Sequence, residues 1–128
     1  VVASAGHAIA AGALVLLAAD TRIGAAGDFR YGLNETAIGM SLPPFGMEMA
    51  KCRLSKRHQT QAIIQARLYD PDTAQQAGYL DQVVEAGALE NQALEQAAAL
   101  AELPASAYAA TKLDVRRDYI DRITASLA

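Results

Sequence analysis

The chain has no tryptophan, only two phenylalanines and a single cysteine among its 128 residues. So few aromatics favour closely packed helices over a sandwich of bulky strands. Cys52 has no partner for an internal disulfide, so an oxidising compartment gains no support and the expected location is cytoplasmic. No neighbouring pattern makes that thiol a nucleophile, and it reads as a small buried hydrophobe. An excess of positive charge is also missing: 11 Lys and Arg stand against 14 Asp and Glu, for a formal net charge of −3. A nucleic-acid surface is not expected, because phosphate binding needs concentrated cations to release counterions. The one dense basic group, residues 51–57 (KCRLSKR), fits a solvated helix face, or else a docking site for an anionic ligand or another subunit.

Long hydrophobic runs are absent as well. The apolar opening of the chain is interrupted by Ser4, Gly6 and His7 and ended by Asp20, short of the ~20 apolar residues of a membrane helix. No positive segment precedes it, as one would in a signal peptide, and a chain that opens with Val1 inside an apolar run reads as a piece of something longer. Metal-ligand spacing, a phosphate-binding loop and a nucleophile elbow are not found.

What is present is alanine-rich and periodic. Hydrophobic residues make up 52% of the chain, enough for one core in a domain of this size, and the expected class is a helix-rich α/β or α+β unit. Residues 1–4 suit the end of a buried strand, 6–12 a turn, and 13–19 a helix that is apolar on every side and so buried all round. Residues 21–25 read as a strand, 26–28 as a turn and 29–31 as another extended piece. After Pro43-Pro44 the spacing predicts helix over 45–67, with Met47, Leu54 and Ile63 inward. Asp70-Pro71 signals a helix start and Gly78 its end, while Val83-Val84 closes a small strand or an extended docking segment. Leu89, Ala93, Ala97 and Leu100 mark an amphipathic helix over 88–102. Pro104 opens another, its stripe carrying Tyr108, Val115, Ile123 and Leu127 with Asp114, Arg116, Arg117 and Asp121 toward water.

Two places can carry chemistry. A small-residue turn running into a helix presents unpartnered N–H groups and a partial positive charge, which can host a developing oxyanion, although Gly and Ala also serve simple close packing. Glu35 lies between "YGLN" and "TAIGM". Desolvation there would favour its protonated form and suit a base that takes a proton and returns it; an exposed loop Glu or a helix cap is the other reading. His7 fits a packed or backbone-bonded residue better than a base.

Three segments in order and spacing, "GHAIAAGALVLLAADTRIGA", "YGLNETAIGM" and "AQQAGYLDQVV", resemble the crotonase (enoyl-CoA hydratase/isomerase) superfamily over nearly the whole chain. The resemblance implies an α/β fold: the later part of a ββα spiral over 1–85, then a C-terminal helical oligomerisation region over 86–128 that packs in trimers or pairs of trimers. It implies a fatty acyl-CoA thioester as substrate, with no cofactor beyond the coenzyme A that the substrate carries, no nucleic acid and no membrane. The first half of such an enzyme would hold most of the coenzyme A site and one of two oxyanion amides, so these 128 residues alone are expected to be inactive. The second amide falls at Ala11, with Gly12 behind it, and Ala10 and Ala11 stand where the family carries glycines.

Hydratases of that family use two glutamates. The later one matches Glu35, but Leu14 occupies the position of the first, so two-acid hydration is disfavoured unless another acid such as Glu48 takes its place. "GLNE" followed by Pro44-Phe45 is similar instead to the Δ3,Δ2-enoyl-CoA isomerases, which use one glutamate. The resemblance thus implies double-bond isomerisation, with Glu35 and the Ala11 amide catalytic and Gly12, Leu14, Pro44 and Phe45 against the substrate. An acyl-CoA binder that has lost catalysis, or a different reaction of CoA thioesters, are the alternatives.

Overall fold

Residues 1–128 are described by a computed structural model. β1 (Val2–Ser4), β3 (Arg22–Ala25) and β5 (Gln82–Val84) form a parallel sheet in the order β1-β3-β5. β2 (Ala8–Ile9) and β4 (Tyr31–Gly32) form a second parallel pair, and Tyr31 also bridges to Tyr69. Parallel pairing needs crossovers, and helices supply them. The helices are α1 (Ala11–Ala18), α2 (Pro44–Arg53), α3 (Pro71–Ala77), α4 (Leu89–Ala101) and α5 (Ala105–Ser126). The class is α/β with a helix-rich C-terminal region, as expected. No helix is long and apolar enough to cross a membrane.

The main core lies between α1, α2 and α3 and the strands, with Leu16, Leu17, Tyr31, Leu33, Tyr69, Tyr79 and Leu80 deeply buried. A smaller cluster of Ile23, Ala25 and Leu89 seats α4 on the sheet. β3 is central and has no room for a side chain at Gly24, where a Cβ would stand 2.5 Å from Leu80 Cδ1. α3 follows its signals: the Asp70 carboxylate accepts the Thr73 N–H at 2.8 Å, Pro71 opens the helix, and Gly78 closes it at φ 104°.

Several expectations are corrected. The helix of α1 begins at Ala11 rather than residue 13, the turn before it contains β2, and only the face of Ala13, Leu16 and Leu17 is buried, while Val15 is exposed. A period of 3.6 sets residues 11, 15 and 18 on the face turned away from α2. The predicted helix over 45–67 breaks at Leu54, which turns extended so that its side chain enters the core and the Ser55 N–H reaches the Ala77 carbonyl at 2.9 Å. A 3-10 turn (Lys56–His58) and a π-helical turn (Thr60–Ile64) follow. Leu54 and Ile63 are buried, but Met47 is exposed. Cys52 is exposed too, because two residues on from the buried Ala50 lies nearly the opposite side of α2.

In the basic group Lys51, Lys56 and Arg57 are exposed, as a solvated face requires, but Arg53 turns inward. The Arg53 guanidinium donates to the carbonyls of Leu17 at 3.1 Å, Ala19 at 2.7 Å and Asp20 at 3.3 Å, so it caps the negative end of α1. The stripe expected on α5 is also reversed in part: Val115 and Leu127 are exposed, and the Arg116 side chain is only 16% exposed. The inward face is built around a carboxylate. Asp20 accepts the Tyr108 hydroxyl at 2.7 Å, Lys112 at 2.8 Å and Arg116 at 2.6 Å, from residues four apart on α5.

Candidate active site

β4 holds the two candidate places together. Its Gly32 carbonyl accepts the Ala10 N–H at 2.9 Å, while the Ala8 N–H reaches the Arg30 carbonyl at 3.0 Å. Ala10 then turns the chain with φ 55° and ψ −120°, a conformation suited to glycine, and its carbonyl starts the helix by accepting the Leu14 N–H at 3.1 Å. Ala11 is thereby the first residue of α1 and Gly12 the second, where amides have no carbonyl of their own helix to bond. A Cβ on Gly12 would meet nothing within 4 Å, whereas one on Gly32 would stand 2.9 Å from the Arg67 carbonyl. The turn is open outward and tightly backed.

Past the same end of β4, Leu33 enters the core and Glu35 sits at the entry to a 3-10 turn (Thr36–Ile38). Glu35 is neither an exposed loop residue nor a side-chain cap: it is 8% exposed and makes no cap hydrogen bond. Its Oε2 is buried with no hydrogen-bond partner. A buried carboxylate oxygen left unpaired is costly, and such exceptions ask for an explanation. The Thr36 hydroxyl donates to the Ile63 carbonyl at 3.5 Å, which ties this turn to the π-helical segment.

Leu14 is half-buried and leans on α2. Its Cδ1 lies 3.2 Å from where a Cβ on Gly46 would be, next to Pro43 Cγ at 3.5 Å. The structure therefore brings Leu14 to the Pro44-Phe45 end of α2, with Pro44 at the first position of the helix and Phe45 half-buried. Glu48, on the same helix, is held elsewhere, with Arg122 Nε donating to it at 2.6 Å and Lys51 Nζ forming an ion pair with it at 3.6 Å. The hydrogen bond from Arg122 holds its carboxyl below the usual carboxylate range.

His7 is backbone-bonded, as expected. Its Nδ1 accepts the Arg30 N–H at 2.9 Å, and its ring meets Phe29 edge to face at 5.7 Å. One buried polar group escaped the sequence reading altogether: Tyr79, whose hydroxyl is buried without a hydrogen-bond partner. Burial raises that phenol well above its ordinary range, and the neighbouring Tyr69 and Glu35 add to the shift. Its only sequence signal is a polar tip inside the otherwise plain segment "AGYLD". The principal grooves lie elsewhere: about 430 Å³ beside Asp20, Tyr108 and Val115, and about 320 Å³ between Met47, Lys51 and Ile63. No three His, Cys, Asp or Glu side chains converge on one point.

Comparison with known proteins adds a family to this geometry. No curated protein sequence matches the chain. Among solved structures, an enoyl-CoA hydratase/isomerase family protein from Pseudomonas syringae is 45% identical with a TM-score of 0.92, covering 94% of this chain and 53% of that one. An enoyl-CoA hydratase from Mycobacterium ulcerans is 37% identical with a TM-score of 0.90, over 94% and 53%. Human mitochondrial Δ3,Δ2-enoyl-CoA isomerase is 30% identical with a TM-score of 0.88, over 94% and 47%. The chain spans about half the length of these relatives, and both hydratases and isomerases are among them. Residues 1–128 match the family described as Enoyl-CoA hydratase/isomerase, and to that family the chain belongs.

Proposed function

We propose that the protein is a single-glutamate enoyl-CoA isomerase, with Glu35 as the acid and base and the Ala11 N–H as one oxyanion donor. The observation that carries this reading is the pairing along β4: the Ala10–Ala11 turn is bonded to Gly32, and three residues on stands a buried carboxylate with an unpaired oxygen. Glu35 removes an α-proton from a 3-enoyl thioester, the C3=C4 electrons delocalise into a dienolate, and the same carboxyl returns the proton at C4. The product is the 2-enoyl thioester, and the acid ends as it began. Negative charge grows on the thioester oxygen during this shuttle, where the first amide and the dipole of α1 stabilise it. Gly12, Leu14, Pro44 and Phe45 line the substrate's path as an apolar wall that keeps water from the intermediate.

Leu14 supports isomerisation over hydration, since a leucine can neither bind nor activate water. Glu48 supports it as well, because Arg122 and Lys51 already engage its carboxylate. The substrate class is a fatty acyl-CoA thioester, and the assembly is a trimer or a pair of trimers made through the C-terminal helices.

The test follows 3-enoyl-CoA in the full-length protein and its Glu35→Gln variant. Loss of general acid–base catalysis is expected to lower turnover by about 10²–10⁴-fold. Equal rates would end the assignment, and accumulation of 3-hydroxyacyl-CoA from 2-enoyl-CoA would replace isomerisation with hydration.

A further inference from the structure

The carbonyl end of α1 is met by an excess of positive charge. Arg53, the last residue of α2, donates from Nε to the Leu17 carbonyl at 3.1 Å and from Nη2 to those of Ala19 at 2.7 Å and Asp20 at 3.3 Å. Arg22 adds a second guanidinium to the Ala19 carbonyl at 3.2 Å. The carboxylates nearby pair with other cations: Asp81 with Arg22 at 3.1 Å, and Asp20 with Lys112 at 2.8 Å and Arg116 at 2.6 Å. Arg53 itself has no carboxylate within ion-pair distance. Four cations thus meet two carboxylates at the far end of the helix that begins with Ala11.

Closing the helix does not call for this charge. The Ala19 N–H already turns back to the Leu16 carbonyl at 3.1 Å, and a neutral glutamine could donate to the remaining carbonyls without placing an unpaired cation in a half-buried site. What the charge does change is the field along α1. The last carbonyls carry the negative end of the helix dipole, eight residues and about 12 Å from the first amide, where they oppose a developing anion. A cation set on them cancels that opposition. Ala13, Leu16 and Leu17 form the buried face between the two ends, so on that side the field passes through protein rather than water.

We propose that Arg53 is a positioning residue for the oxyanion turn: it grips the end of α1 and, through its charge, strengthens the hold of the Ala11 amide on the thioester oxygen. This role rests on the reading of the Ala11 N–H as an oxyanion donor. α2 is placed for it, since Leu14 leans on the first turn of that helix at Gly46 and Arg53 holds the end of α1 from the last. Negative charge on the thioester oxygen is greatest as the dienolate forms, so the cation acts on turnover more than on binding.

The test reads the carbonyl stretch of bound hexanoyl-CoA, labelled with 13C at its thioester carbonyl, by infrared difference spectroscopy on the full-length protein. Stronger polarisation lowers that frequency. Arg53→Gln is expected to raise it and to lower kcat for 3-enoyl-CoA about two- to fivefold with KM unchanged, while Arg53→Lys, which restores the charge, recovers most of both. Asp20→Asn removes a negative charge from the same end of α1 and is expected to move the frequency the other way. Loosening of the fold would act alike in Arg53→Gln and Asp20→Asn, so opposite shifts separate charge from stability. An unmoved frequency in Arg53→Gln, equal shifts in Arg53→Gln and Arg53→Lys, or a shift of one sign in Arg53→Gln and Asp20→Asn would overturn the proposal. If Arg53→Gln does not fold, Asp20→Asn decides alone: a downward shift supports the proposal and any other result rejects it. The parent protein separates the two ideas, since a carbonyl no more polarised than in free hexanoyl-CoA rejects the oxyanion reading, whereas a polarised one that ignores Arg53 rejects only the role of Arg53.

Discussion

Ala10 carries the clearest backbone strain at the candidate site. Its φ of 55° with ψ −120° suits glycine, yet a methyl group stands there. Strained conformations of this kind cost on the order of 1–3 kcal/mol, against roughly 0.5–1 kcal/mol for the extra freedom that a glycine loses on folding. Ala10→Gly should therefore stabilise the protein by about 1 kcal/mol and raise its melting temperature by about 3–5 °C. A lower melting temperature would show that the turn is not strained at this residue. The sequence exposed the position, because alanines stand there in a turn that otherwise asks for glycine. Tyr79 was hidden for the opposite reason. A tyrosine between a helix end and a strand looks like ordinary packing until the burial of its hydroxyl is seen.

Between elements, legibility depended on how far apart the partners stand in the chain. The ends of α3 were readable because Asp70, Pro71 and Gly78 act on their own neighbours. The break of α2 at Leu54 was not, since it answers to Ala77 at the end of α3. The docking of α5 was least readable of all: Asp20 meets Tyr108, Lys112 and Arg116 across 88 to 96 positions, and an apolarity pattern cannot find a face built on charge. Burial alone would raise the Asp20 carboxyl, but the hydrogen bonds from Lys112, Tyr108 and Arg116 outweigh it and hold it far below the usual range. The unfolded chain then takes up a proton near pH ~3.9 while the folded one resists, so this stabilisation is complete above that pH and fades as pH falls below it. Asp20→Asn should be less stable than the parent at pH 7, with the gap narrowing as denaturation is measured from pH 5 down to pH 3. A gap of constant width would mean that the cluster does not anchor α5 through charge.

For the whole molecule, α5 poses a question of surface. It has 22 residues, about 33 Å of helix, and none of them is fully buried. α5 packs on α2, and its inner line is the polar one that meets Asp20. Leu113, Ile120 and the capping Leu127, on the flank next to Arg116, recur every seventh residue and are 57%, 36% and 68% exposed. That spacing keeps one apolar line along a helix, the arrangement by which helices of separate chains associate. Each such side chain contributes roughly 1.5–3 kcal/mol when fully buried, set against the freedom lost on association, so charge placed on this line should weaken any subunit contact made through it. Leu113→Glu with Ile120→Glu would place charge on this line and leave the Asp20 cluster untouched. Sedimentation equilibrium of the full-length protein is expected to give a trimer or a multiple of it, and the double variant a monomer with its helical signal intact. A variant that keeps the parent's mass would move the subunit contact away from this face of α5, and a parent that sediments as a monomer would remove the proposed assembly.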